Sequence, residues 1–271
     1  MVHFTFAATV PLISFADVRL GNGVRLHYAQ QGLSSGPVIV LLHGYSDSSL
    51  SFSRVMPLMP PEFRVIALDV RGHGDSDRPA GGYRIEDLAD DVLMFMDVLK
   101  IPSALVVGHS MGSFIAQAIA DKAPARVTSL VLMGSAPIFA NASIRELCAA
   151  VEKLSDPIDR EFVREFQYST VAAPVPDAFM ERAIANSERM PARVWKQLAR
   201  GFLEYRSAAT RPRVRTLVIG GRKDRVFSIS EHVELASQFP DSRLELFDDI
   251  GHTLHWEEPN TFVQALRRFL Q

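Results

Sequence analysis

Short runs of consecutive apolar residues alternate along the chain with longer stretches whose apolar positions recur every three to four residues. The runs Val38–Leu42, Arg64–Leu68, Ala104–Val107, Ser129–Met133, Arg215–Ile219 and Arg243–Phe247 are rich in Val, Ile and Leu. Their length and continuity predict strands buried on both faces. Helical spacing predicts helices over Ile85–Leu99, Met111–Lys122 and Ser230–Gln238, and a last one over Asn260–Leu270 with Phe262, Leu266 and Phe269 on one face. Near the start, Val18-Arg19-Leu20 and Val24–Tyr28 flank Gly21-Asn22-Gly23. That spacing predicts a hairpin, because Asn and Gly tolerate the positive φ of its turn. Strands alternating with helices imply an α/β fold, a mainly parallel central sheet covered by helices on both sides.

One gap breaks the rhythm. Between Met133 and Arg215 the pattern is helical and is interrupted by Pro137, Pro157, Pro174, Pro176, Pro191 and Pro212. A loop of that length without structure of its own is implausible in a compact domain. Residues 137–209 are therefore expected to form a helical cap inserted in a core made of residues 1–136 and 210–271.

Composition narrows the function classes. The chain has 271 residues, 47% hydrophobic and 22% charged, with a formal net charge of −2. No basic stripe points to nucleic acid, and no apolar run approaches the ~20 residues of a membrane helix. The single cysteine, Cys148, excludes an internal disulfide. Phe4–Ala16 imitates the apolar part of a leader, but no Lys or Arg precedes it and Pro11 interrupts it. A cytoplasmic setting is the expectation. Neither a Cys pair nor a His-Glu-x-x-His helix suggests a metal, and no glycine pattern suggests a dinucleotide or phosphate loop, so no cofactor is expected.

The candidate chemistry lies at Gly108-His109-Ser110-Met111-Gly112, a Gly-x-Ser-x-Gly pattern between a strand pattern and a helix pattern. A serine at such a corner sits in a tight, strained turn with its hydroxyl exposed, and small flanking residues let neighbouring backbone pass close. Further signposts are His43-Gly44-Tyr45, Asp69-Val70-Arg71-Gly72-His73-Gly74-Asp75-Ser76, Gly220-Gly221-Arg222-Lys223-Asp224 and Ile250-Gly251-His252. In this order they resemble the α/β-hydrolase superfamily, in its capped esterase, lactonase and carbon–carbon hydrolase branch. The resemblance covers about residues 20–135 and 212–271 and does not extend to the cap.

The resemblance implies a Ser-His-Asp triad. Ser110 is the nucleophile. Eight histidines compete for the base, and superfamily members carry theirs in the loop after the last strand, where His252 stands. Asp224 is the expected acid. Some relatives place the acid after the preceding strand instead, but Met133-Gly134-Ser135-Ala136 offers no carboxylate there. The competing reading of Asp224 is a turn residue bonding local backbone, with Asp248 and Asp249 as alternatives. His109 and His43 are read as orienting or loop-fixing, His73 as part of a structural loop, and His3, His27 and His232 as surface or core. Asp69 and Asp75 are read as loop-fixing. The oxyanion donors implied are the backbone N–H groups of Met111 and Tyr45.

Serine at the elbow sets the chain apart from the dehalogenases and epoxide hydrolases that resemble it but attack with Asp. It suits an acyl-enzyme formed from an ester or lactone. Carbon–carbon hydrolases often show Gly-Asn-Ser-Met-Gly, and His109 in place of that Asn favours esters and lactones. A carbon–carbon hydrolase, a perhydrolase, a hydroxynitrile-lyase-like enzyme and a slow-turnover receptor for a small molecule are the alternatives on the same triad. The expected partner is a small apolar ester or lactone. Phe139, Phe166, Trp195 and His255 are the candidate pocket residues, and Cys148 is read as buried packing.

Overall fold

A computed structural model describes residues 12–271. The leader-like stretch is mostly, and His3 entirely, outside the described residues. The hairpin is present. Ser14–Arg19 (β1) pairs antiparallel with Arg25–Gly32 (β2), Arg19 opposite Arg25. The apolar runs become Val38–Leu42 (β3), Arg64–Leu68 (β4), Ala104–His109 (β5), Val127–Met133 (β6), Thr216–Gly221 (β7) and Ser242–Phe247 (β8). Among the described residues these form one sheet in the order β1-β2-β4-β3-β5-β6-β7-β8. The pairings of β2 are antiparallel, and those from β4 through β8 are parallel.

Alternate residues of the strands bury into separate layers. Val40, Leu42, Val106, Leu130 and Val218 pack with Ile85–Val98 (α1), Met111–Lys122 (α2) and Ile229–Gln238 (α7). Ile39, Leu41, Val107, Val131 and Leu217 pack with Phe52 and with Phe262, Leu266 and Phe269 of the C-terminal helix Pro259–Leu270 (α9). This period of two is the sheet's pleat, and it explains why the strands read as continuously apolar. Strand order reverses between β3 and β5, and their parallel register aligns Leu42 with Gly108. The carboxyl ends of neighbouring strands at such a switch point leave a crevice.

Four helices lie between β6 and β7: Ala142–Val151 (α3), Arg160–Ser169 (α4), Asp177–Glu188 (α5) and Ala192–Glu204 (α6). Asn141 and Asp159 cap α3 and α4 by accepting the N–H of Ile144 (3.0 Å) and Glu161 (3.0 Å). Pro176 and Pro191 immediately precede α5 and α6, where a missing N–H costs least. The buried face of α6 carries Val194, Trp195, Leu198, Ala199 and Phe202, the helical spacing of an amphipathic element. These helices share one apolar cluster with the sheet; Phe139 stacks on Phe114 of α2 at 4.0 Å. A short helix, Leu254–Glu257 (α8), was not legible from periodicity, since one turn shows none. No helix among the described residues is long and apolar enough to cross a membrane.

Candidate active site

The corner at Ser110 is built by its neighbours. Ser110 has φ 49° and ψ −120°, a region that residues with a side chain rarely occupy and that persists only when surroundings impose it. Its N–H donates to Met133 O on β6 (2.9 Å), and its carbonyl accepts from Ser113 N–H (2.8 Å) in the first turn of α2. A methyl on Gly108 would lie 2.3 Å from Gly112 O, and one on Gly112 would lie 2.1 Å from Leu42 O. Only glycine lets the corner close against β3. The N–H of Met111, at the start of α2, and that of Tyr45, in the loop after β3, have no partner among the described residues. Helix N-termini leave such donors free for a developing negative charge.

His252 stands in the loop between β8 and α8. Its Nδ1–H donates to Asp224 Oδ2 at 2.8 Å. Asp224 Oδ1 accepts from the N–H groups of Val226 (2.7 Å) and Phe227 (3.1 Å), in the turn after β7. Burial alone would raise the Asp224 carboxyl; the imidazole and these hydrogen bonds outweigh it and hold the acid below the usual range. The ring rests over Gly134, where a methyl would approach its atoms to 2.7 Å. His109 Nε2–H donates to the His252 carbonyl (3.1 Å), and His252 N–H donates to Thr170 O (2.9 Å). No hydrogen bond joins Ser110 Oγ to His252 Nε2 among the described residues, a contact that often tightens only when substrate is bound. Ser110 and His252 line one cavity of about 620 Å³, whose wall includes the aromatics Tyr45, Phe139, Phe162, Phe166, Phe202 and Trp256 and the charged residues Glu146, Glu165 and Arg225.

Residues 37–259 match the family model described as alpha/beta hydrolase fold. The chain belongs to this family. The hydrolase is 28% identical over 278 residues to an AB hydrolase superfamily protein of Bacillus subtilis, covering 92% of this chain and 96% of that one. It is 26% identical over 276 residues to 3-oxoadipate enol-lactonase 2 of Acinetobacter baylyi, covering 97% and 99%. Its fold is similar to the solved esterase EaEST of Exiguobacterium antarcticum, with TM-score 0.84, 23% identity, and 94% and 98% of the two chains covered.

The structure of this hydrolase separates the predicted site residues. Tyr45, Ser110, His252, Phe139 and Phe166 line the cavity. Met111 is buried, first in α2. Two candidate pocket residues, Trp195 and His255, are not among the residues lining the cavity. Trp195 is fully buried behind the wall, its carbonyl accepting from Tyr45 Oη at 2.6 Å and its ring 4.7 Å from the Tyr45 ring. His255 is also fully buried, 4.5 Å from the His109 ring and 2.9 Å from Ser51 Oγ through Nε2. Burial, with the charge of His252 adding to it, pushes the His255 imidazole down to about 3. Asp248 and Asp249 are exposed and pair with Arg222 (2.7 Å) and Lys223 (2.8 Å). His43 accepts from Val70 N–H (3.1 Å) and donates to Gly44 O (2.7 Å), fixing the loop after β3. Asp69 accepts from the N–H groups of Ser49 (2.6 Å) and Asp75 (2.8 Å), while Asp75 pairs with Arg189. Cys148 is buried, its thiol pushed up to about 11 by burial.

Sequence reasoning missed three things. Asp47 and Gln167 line the cavity. His232 is buried with Nε2 3.8 Å from Asp224 Oδ2. Glu257, buried, accepts the N–H groups of Gly251 (3.0 Å), Thr253 (3.2 Å), Ala172 (3.0 Å) and Ala173 (2.7 Å), so it clamps the His252 loop to the segment between α4 and α5. The available signal was a carboxylate ending the apolar turn Leu254-His255-Trp256.

Proposed function

We propose that this hydrolase cleaves a carboxylic ester or lactone through an acyl-enzyme on Ser110, with His252 as base and Asp224 as its acid. The observation that carries this reading is the pairing of Asp224 with His252 beside a cavity that also opens on the strained Ser110 corner. Ser110 Oγ attacks the carbonyl carbon and gives its proton to His252 Nε2. Asp224 holds the ring with Nε2 free and stabilises the imidazolium that forms. The oxyanion takes hydrogen bonds from the N–H groups of Met111 and Tyr45. His252 then returns the proton to the departing alcohol oxygen, and water repeats the sequence on the acyl-enzyme. Residues 137–209 act as a cap that closes the pocket, and the aromatic part of the wall suits an apolar acyl or alcohol group. The likeness to an enol-lactonase supports the inclusion of lactones.

A panel of p-nitrophenyl esters, lactones and ring-cleavage diketones, followed by burst-phase kinetics and product analysis, tests the proposal. An acyl-enzyme burst with esters or steady turnover of lactones is expected. Turnover confined to diketones would replace it with carbon–carbon hydrolysis. Single-turnover acylation without release would replace it with a receptor.

A further inference from the structure

Asp47 is a buried carboxylate in the cavity wall, which also carries Glu146, Glu165, Gln167 and Arg225. Asp47 lies in the loop after β3, two residues beyond Tyr45, and is 6% exposed. Besides a backbone hydrogen bond from Gly44, its carboxyl has long side-chain contacts only. Gln167 Nε2 is 3.3 Å from Oδ1 but has a shorter contact with Ser187 Oγ, at 2.8 Å. Ser51 Oγ is 3.5 Å from Oδ2 but 2.9 Å from His255 Nε2. Among the described residues no Lys or Arg pairs with it. A buried carboxyl with such bonds is an acceptor short of donors.

A second acceptor stands beside it. His109 donates through Nε2 to the His252 carbonyl, which leaves Nδ1 with a lone pair; Nδ1 is buried and unpartnered. A methyl on Gly44 would lie 2.9 Å from His109 Nδ1 and 3.1 Å from Asp47 Oδ2. Two buried acceptors, the unpartnered His109 Nδ1 and the weakly bonded Asp47 carboxylate, thus lie beside Gly44, one next in sequence to Ser110 and the other in the Tyr45 loop.

We propose that Asp47 and His109 Nδ1 form a specificity-determining pair that reads a hydrogen-bond donor, a hydroxyl or an ammonium group, carried by the substrate close to its scissile carbonyl. This deepens the ester and lactone reading and rests on it. A substrate with such a donor strengthens the bonding of the Asp47 carboxylate and supplies His109 Nδ1, whereas one without it leaves the first weakly bonded and the second unpartnered. Sites built to hydrogen-bond a substrate group reject the analogue that lacks it far more strongly than apolar pockets reject a missing methylene. A hydroxyl supplies one proton to the pair. An ammonium supplies protons to both acceptors and opposes the carboxylate charge. Burial pushes the Asp47 acid up to about 7, against the pull of Gln167 and His252, so it is chiefly the ionised acceptor at pH 8.

The test uses benzyl butanoate, benzyl 3-hydroxybutanoate and benzyl 3-aminobutanoate at pH 8. In the wild-type protein, kcat/KM is expected to favour at least one donor-bearing ester by roughly tenfold or more, the two arms separating hydroxyl from ammonium. Asp47→Leu should bring the ratio near one. Asp47→Asn, which keeps an acceptor oxygen but not the charge, should retain a hydroxyl preference and lose any ammonium advantage. The same esters titrated calorimetrically into Ser110→Ala read recognition without turnover and should show the same order of Kd. Equal Kd values for the three esters, or a ratio unchanged in Asp47→Leu, would overturn the proposal. A donor preference in Kd with no turnover of any ester by the wild-type protein would leave it standing and overturn the ester reading instead.

Discussion

At the scale of single residues, the expectations concentrate on Ser110 and Asp224. Ser110→Ala should lower kcat by about 10⁴-fold or more, the behaviour of an enzyme that loses its nucleophile. A phosphonate or sulfonyl fluoride should label Ser110 one-to-one. Labelling of Ser113 or Ser135 with Ser110 untouched would sink the assignment. Asp224→Asn should cost roughly 10³–10⁴-fold, because the amide no longer stabilises the imidazolium and can hold the wrong tautomer. Asp248→Asn and Asp249→Asn should stay near wild type, since both carboxylates face solvent and pair only with Arg222 and Lys223. A large loss at Asp249 with little at Asp224 would mean that Asp224 is merely a turn residue.

At the scale of elements, two effects that look alike in the sequence separate in the structure. Trp195 and Phe166 are both cap aromatics, yet Trp195 is fully buried behind the wall and Phe166 lines the cavity. Trp195→Ala should therefore act on stability, by ~3–5 kcal/mol as for other buried aromatics, read as a fall in Tm. Phe166→Ala should change the preference between bulky and small esters more than reactivity toward phenyl acetate. Equal losses on both esters would make the cap helices chiefly structural. Glu257→Gln tests the clamp between α8 and the α4–α5 segment. It removes a charged acceptor from several buried N–H groups, a loss of ~1–3 kcal/mol, and it loosens the loop that carries His252. Tm and kcat should fall together; an unchanged Tm would show that the carboxylate charge is dispensable there.

At the scale of the whole molecule, buried titratable groups set the acid limb of stability. Burial first, and neighbouring imidazoles where present, hold His43, His73, His109 and His255 below the usual imidazole range. In the unfolded chain each titrates near ~6.5. Their contribution is thus fully present above that pH and is lost as pH falls toward the folded values, about 3 for His255. Asp47 works in the opposite sense. Its folded value is raised to about 7, so its contribution is present below the unfolded ~3.9 and is lost as pH rises through about 7. The histidines outnumber it, and Tm should climb between about pH 4.5 and 6.5. Asp47→Asn should make that climb steeper and lift Tm at pH 8. A Tm flat from pH 4.5 to 6.5 would contradict the burial of neutral imidazoles.

What the sequence determined by itself was local. Val38–Leu42 and Arg64–Leu68 carry the observed strand bounds in apolar runs, the second opened by Arg64, and Met111–Lys122 carries its helix in spacing and in the glycines around Ser110. The Ser110 corner was legible for the same reason: a strand, a tight turn and a helix in succession constrain the residues between them. His252 and Asp224 were legible through chain order and motif, and their contact at 2.8 Å joins two turns that follow neighbouring strands. The tertiary structure alone decided which side chains meet the cavity. Trp195 and Phe166 are both aromatic and both sit on helices, but Trp195 is fully buried behind the wall while Phe166 is half-buried in it, and both rings pack against Tyr45. Asp47 and Gln167 meet across a sequence separation of 120, and Glu257 reaches Ala173 across 84. Such pairings leave no periodic trace, because the position of each partner is set by how separate elements pack and not by its neighbours along the chain.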